Sequence, residues 1–155
     1  MAQRTARPFS ETEEKLLGVA LKVMTKTTTW VYRASGGRLG GRFLRGAPVM
    51  LLTTIGRRSG EPRIAPLIYL EDGDNVVTVA SKGGSARHPL WYRNLQANPD
   101  VEVQIGADKR KLRARIASAE EKDRLWPRLT MIYPDYDDYQ ARTDRDIPVV
   151  ILEPR

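Results

Sequence analysis

The sequence has no cysteine and a single histidine, His88, and these two scarcities remove much of the usual catalytic repertoire. Without cysteine there is no disulfide framework, no thiolate nucleophile and no zinc–thiolate site, and the cytoplasm is the natural compartment. A lone histidine excludes a His-rich metal site, and no nucleophile is evident for it to serve; it reads as a binding residue or a helix-start residue rather than a base. Long apolar runs are also missing. No stretch approaches the roughly 20 apolar residues that span a bilayer. The basic start Met1–Arg7 leads into Phe9-Ser10-Glu11-Thr12-Glu13-Glu14, which is not the apolar core of a signal peptide.

Acidic residues are outnumbered: 19 Asp and Glu stand against 26 Lys and Arg, a formal charge of +7 in which arginine dominates. Such a balance suits nucleic acid, an anionic membrane surface or a multiply charged small molecule. Position favours the last, because the arginines gather in turns rather than along one long helix, so no nucleic-acid partner is expected. With no carboxylate pair, triad or metal set in evidence, any redox chemistry must reside in a bound cofactor that the protein orients.

What is present is a chain of 155 residues, 41% of them apolar, enough for one domain over 1–155 with a real core. Ser10 and Glu13 form a capping box, and Leu16, Leu17, Ala20, Leu21 and Met24 recur at helical spacing. The pattern predicts an amphipathic helix from Ser10 to about Thr27, packed on the body or on a membrane or partner surface. A basic glycine-rich loop with Arg33, Arg38, Arg42 and Arg45 completes the N-terminal segment, 1–47. From 48 to 155 the texture is strand-like. Val49–Ile55, Arg63–Leu70 and Asn75–Ala80 predict a three-strand meander, Val101–Ile105 and Leu112–Ile116 a half-buried hairpin, and Ile147–Leu152 a last strand. Pro89–Ala97 and a segment from the capping box Ser118/Glu121 to about Met131 predict helices. Six short strands with few helices give an α+β class, mainly β: a small antiparallel barrel decorated by helices.

Three features carry chemistry. The turn Gly56-Arg57-Arg58-Ser59-Gly60-Glu61-Pro62-Arg63 offers freed backbone N–H groups, a hydroxyl and guanidinium groups to an anionic oxygen. It is not a Walker A loop, since its glycines are too close together and no Gly-Lys-Ser/Thr follows; the alternative is an ordinary solvated basic turn. Second, Ala80-Ser81-Lys82-Gly83-Gly84 follows a strand and precedes the helix start His88-Pro89-Leu90-Trp91-Tyr92-Arg93-Asn94, where free N–H groups favour anions. Leu90, Trp91 and Asn94 fall on roughly one face of that helix as an apolar plate with an amide, or else as a core Trp with a surface Asn. Third, Tyr133, Tyr136 and Tyr139 recur every three residues in an Asp-rich loop or short helical turn, giving flat surfaces with hydroxyl tips for an aromatic ligand, or a tyrosine-lined core edge.

Taken in order, Trp30-Val31-Tyr32-Arg33, Gly36-Gly37-Arg38-Leu39-Gly40, Ile55–Gly60, Ala80–Gly84, His88–Leu95, Ala97-Asn98-Pro99, Tyr133–Tyr139 and Ile147-Pro148-Val149 resemble the deazaflavin-dependent nitroreductase family of split β-barrel oxidoreductases. The resemblance covers about Thr29 to Pro154. It implies coenzyme F420, an 8-hydroxy-5-deazaflavin, and hydride transfer from its reduced form to a quinone or nitroaromatic acceptor. By that resemblance Arg57, Arg58, Ser59, Arg63 and Lys82 with Gly83 would hold the phosphate and acidic tail. Pro66, Val79, His88, Pro89, Leu90, Trp91 and Asn94 would border the ring or its linker. Ser81, Tyr133 and Tyr136 would act at the acceptor, with Ile68 and Tyr139 lining its place. The competing readings are a non-enzymatic protein binding flavin, F420 or a lipid-like molecule, and a split barrel using FMN. The resemblance leaves open the oligomeric state and a peripheral contact of the first helix with the inner face of the membrane.

Overall fold

The computed structural model describes residues 6–42 and 46–155; Arg45 of the basic loop lies outside them. Helix α1 spans Glu11–Ala34. Its capping box forms as predicted: Ser10 Oγ accepts the Glu13 N–H and the Glu13 carboxylate accepts the Ser10 N–H. The helix runs beyond Thr27 because its last turns are anchored. Tyr32 is buried, its hydroxyl donates to the Gln104 carbonyl at 3.2 Å and accepts the Gly106 N–H at 2.6 Å.

The face that α1 turns to the body differs from the predicted one. Leu17 and Leu21 are half-buried, whereas Leu16, Ala20 and Met24 are exposed, together with Val19, Val23 and Trp30. The helix carries two apolar stripes, and the core takes the one that ends at Tyr32.

The strands are β1 (Val49–Ile55), β2 (Pro62–Ile68), β3 (Leu70–Asp72), β4 (Asn75–Val79), β5 (Asp100–Ile105), β6 (Asp108–Ile116) and β7 (Val149–Pro154). Neighbouring strands pair antiparallel in the order β2-β1-β5-β6-β7-β4-β3. The predicted strand Arg63–Leu70 is therefore two strands broken at Tyr69, and the predicted meander is not one. β2 pairs with β1, and β3 pairs with β4. The break is informative, because β2 and β3 are the two ends of the sheet and lie one residue apart in the chain. The two ends of the sheet meet there without a ladder, as in a split barrel, and Thr78 Oγ1 spans the gap by donating to the Ile68 carbonyl at 2.8 Å.

Two apolar layers follow from strand alternation. Met50, Leu52, Val76, Val101, Val103, Leu112, Val150 and Leu152 fill the barrel with Tyr92 and Leu95. The opposite faces of β4 and β7, Val77, Val79, Val149 and Ile151, pack outward against Leu125, Leu129, Tyr133 and Tyr136. Both faces of β7 are covered, so Val149–Leu152 is a continuous apolar run, whereas β6, with one face in water, alternates. The outer layer rests on α3 (Ala119–Ile132), capped by Ser118 and Glu121, and on α4 (Asp135–Arg142). The Tyr- and Asp-rich stretch is thus a helix, with Asp135, Asp137 and Asp138 in its first turn where the helix dipole favours them. Helix α2 spans Leu90–Ala97 behind Pro89.

Candidate coenzyme and acceptor site

The turn between β1 and β2 is built on glycine and serine. Gly56 N–H donates to the Glu61 carbonyl at 2.8 Å, and Gly60 N–H to that of Gly56 at 2.8 Å. Ser59 Oγ accepts the Glu61 N–H and Arg63 Nη2 at 3.2 and 3.3 Å, so its hydroxyl braces the turn. Arg57 and Arg58 stand exposed and join no ion pair among the described residues.

Asn94 places this turn. It is buried, its Nδ2 donates to Thr54 Oγ1 at 3.1 Å and its Oδ1 accepts the Arg57 N–H at 3.2 Å. The amide that sequence reading set beside a ligand therefore joins α2 to the arginine turn. On α2, Leu90 is exposed, Trp91 half-buried, and Tyr92, not singled out in the sequence, is buried between Trp91 and His88, with ring centroids at 6.3 and 4.6 Å. The face supposed to be shared by Leu90, Trp91 and Asn94 is split between solvent and core.

The loop after β4 has an unusual backbone. Lys82 has φ +45°, the one described non-glycine residue with positive φ, and Gly83 and Gly84 follow at +63° and +80°. A right-handed residue, Ser81, followed by left-handed ones turns successive N–H groups to one side, an anion-binding concavity. The N–H groups of Lys82 and Gly83 carry no hydrogen bond among the described residues. Holding lysine there costs on the order of 1–3 kcal/mol, strain that concentrates at functional sites. Gly84 has no alternative: a Cβ would lie 2.6 Å from the Tyr139 carbonyl oxygen. Beside this loop is a depression of about 280 Å³ lined by Lys82, Arg87, His88, Leu90 and Arg93, and a smaller one of about 140 Å³ where Glu11, Glu14 and Lys15 of α1 meet Lys82 and Arg87. Arg87 and Arg93 were not predicted; their spacing around His88 in an otherwise uncharged helix start was the available signal.

The three tyrosines meet as expected. Tyr133 and Tyr136 are 5.1 Å apart edge to face, Tyr139 lies 5.9 and 6.2 Å from them, and the Tyr133 and Tyr139 hydroxyls are 2.9 Å apart. Tyr133 and Tyr136 are buried and Tyr139 half-buried, with Ile68 and Val79 in the same apolar layer. Burial, then the hydrogen bond to Tyr139, raises the Tyr133 phenol well above its ordinary value, and burial does the same for Tyr136. Both are neutral at physiological pH. Pro66 lies half-buried on β2 across from Leu51. The predicted residues thus form three groups: the arginine turn, the Lys82 depression and the tyrosine layer. Asn94 joins the first to α2, while Gly84 on Tyr139 and Arg142 Nη1 on the Gly83 carbonyl, at 2.9 Å, join the second to the third.

The sequence profile of the F420H(2)-dependent quinone reductase family matches residues 24–154. The chain belongs to that family. A Mycobacterium tuberculosis protein named for F420H(2)-dependent quinone reduction is 50% identical over 118 residues, covering 76% of this chain and 99% of its own length. The solved structure of an F420-H2 dependent reductase, FDR-A, matches with a TM-score of 0.64 at 44% identity, covering 68% of this chain and 94% of that one. Another, described as a domain-swapped dimer, gives 0.66 at 39% identity, covering 82% and 99%. As a member, the chain is an oxidoreductase of split-barrel type whose redox coenzyme is F420 and whose reaction is quinone reduction. A coenzyme with a phosphate and an acidic tail fits the unneutralised Arg57 and Arg58, the Lys82 ammonium and the free N–H groups after β4.

Proposed function

We propose that the arginine turn and the Lys82 loop grip the anionic part of F420, and that the tyrosine layer meets the quinone. The observations that support this are the exposed Arg57 and Arg58 on a turn held to α2 by Asn94, and the free Lys82 and Gly83 N–H groups beside the basic depression at the start of α2. Arg57, Arg58 and Lys82, with Gly83, would hold phosphate and tail, braced by Ser59 and Arg63. Pro66, Val79, His88, Pro89, Leu90 and Trp91 would border the ring and linker. The bound coenzyme supplies a hydride; the protein's part is to hold donor and acceptor at contact distance and to stabilise charge on the acceptor. Tyr139, the accessible tyrosine, would offer its hydroxyl to a quinone carbonyl or nitro oxygen, backed by Tyr133 through the 2.9 Å hydroxyl contact; Tyr136 packs behind them and Ser81 and Ile68 flank. Arg57→Ala and Lys82→Ala are expected to weaken coenzyme binding about tenfold or more, read by titration, and Tyr133→Phe to lower kcat with coenzyme affinity kept. Wild-type affinity in both basic variants would refute the assignment.

The outward stripe Leu16, Val19, Val23 and Trp30 favours a second statement. Flanked by Lys15, Lys22 and Lys26, it has the make-up of a helix lying on an anionic bilayer, where quinones dissolve. No described helix is long and apolar enough to cross a membrane, so the contact would be peripheral, at the cytoplasmic face. Cosedimentation with anionic vesicles, lost in Trp30→Ser, is the expected result. A stripe buried between two copies would instead give a dimer in solution and no vesicle binding.

A further inference from the structure

Arg145 had no place in the sequence reading, yet it makes the densest set of hydrogen bonds near the site. Its Nε donates to the Ser85 carbonyl at 2.7 Å, Nη2 to those of Ser81 and Ala80 at 2.8 and 3.2 Å, and Nη1 to that of Ala80 at 3.2 Å. Nη1 also lies 3.2 Å from His88 Nδ1. No carboxylate pairs with this guanidinium among the described residues; it is spent on the backbone of one loop and one imidazole. Guanidinium has donors only, so His88 Nδ1 must accept, and the ring proton sits on Nε2.

We propose that Arg145 is the positioning residue of the coenzyme loop, holding Ala80–Ser85 in its anion-binding shape and fixing His88 as the neutral Nε2–H tautomer on the wall of the basic depression. The inference rests on the coenzyme occupying that depression. Three consequences of the geometry support it. The bonds from Arg145 fall on the carbonyls of Ala80, Ser81 and Ser85, which flank the strained Lys82 and Gly83, so these carbonyls are occupied while the Lys82 and Gly83 N–H groups stay free of hydrogen bonds among the described residues. A neutral imidazole with Nε2–H offers one donor to an anionic or carbonyl oxygen, whereas the other tautomer would face that oxygen with a lone pair. The ring is also held from the far side, by Tyr92 at 4.6 Å. The charged groups nearby are Arg145 at Nδ1, Arg93 on α2, Lys82 and Arg87 on the depression wall, and Glu14 of α1, which accepts from Ser85 Oγ at 2.7 Å and the Ala86 N–H at 3.2 Å. Burial first, then the Arg145 and Arg93 cations, hold the imidazole below its ordinary value.

The test is nitrogen-15 NMR of the His88 ring, without coenzyme, in wild type, Arg145→Met and Arg145→Lys, beside F420 titrations of the same proteins. Wild type is expected to show the Nε2–H tautomer and to titrate below the ordinary histidine value. Folded Arg145→Met is expected to show mixed tautomers, a raised His88 pKa and at least tenfold weaker F420 binding, with Arg145→Lys intermediate. A merely structural arginine would lower the melting temperature and leave the tautomer alone. An Nδ1–H tautomer in wild type, or an unchanged tautomer and affinity in either folded variant, overturns the proposal; the wild-type tautomer decides even if Arg145→Met fails to fold. The underlying site reading fails separately, if F420 shifts wild-type amides elsewhere and leaves Ala80–His88 unmoved.

Discussion

Asn94 and Lys82 show how single residues hold a charged site in place. Asn94 spends both ends of its amide inside the protein, so Asn94→Ala strands the buried Thr54 hydroxyl and frees the Arg57 N–H. A stability loss of about 1–3 kcal/mol is expected by urea denaturation. Coenzyme affinity should fall in parallel, although Asn94 would not touch the ligand. Lys82 separates backbone from side chain. Lys82→Gly removes the strain of φ +45° at the cost of glycine's extra freedom in the unfolded chain, so stability should hold or rise, by up to about 2 kcal/mol, while coenzyme binding weakens as in Lys82→Ala. If glycine kept the affinity, the loop's N–H groups alone would make the site and the ammonium would be idle. Residues of this kind were legible unequally. Lys82, Arg57 and the tyrosines stood out by type and context, whereas Asn94's role depends on a contact 40 residues away in the chain, and Arg145 acts on carbonyls that a sequence does not display.

At the scale of elements, local chemistry was the reliable guide. Both capping boxes formed because they need only residues three apart. The break at Tyr69 was hidden because Arg63–Leu70 is uniformly strand-like and only barrel closure decides where it bends. The segment after Tyr133 folded as α4 because Tyr136 and Tyr139 join Tyr133, at the end of α3, in a common apolar layer, a tertiary gain that overrides its acidic, weakly helical composition. The turn between β3 and β4 is tied to α3 by Asp72, which accepts from Arg124 and Arg128 at 3.0 and 2.7 Å. Those hydrogen bonds lower the Asp72 carboxyl to about 2. Its folded value lies below its unfolded one, so its contribution is present above the ordinary aspartate range and fades as pH falls towards 2. Asp72→Asn should therefore flatten the acid limb of the stability profile, measured by thermal melts between pH 2 and 6; an unchanged profile would remove Asp72 from the account.

At the scale of the whole molecule, Asn94 ties the arginine turn to α2, the Lys82 loop leads into the start of α2, and the second apolar layer gathers the tyrosines of α4 and the end of α3 against β4 and β7. The barrel class was readable from short strands and turn signals, and the separation into three groups was not, because it depends on which strand faces are covered. On the proposed reading that arrangement divides labour: the exposed Arg57 and Arg58 would serve an anionic coenzyme, and the aromatic layer, with Tyr139 its least buried tyrosine, would serve the acceptor. The most direct test is an amide-exchange footprint of the full chain with and without F420. Protection is predicted over 56–63 and 80–94, with 133–139 responding only when a quinone analogue is added. Protection confined to the outer face of β5 and β6, or an equal footprint produced by FMN at the same concentration, would contradict the account.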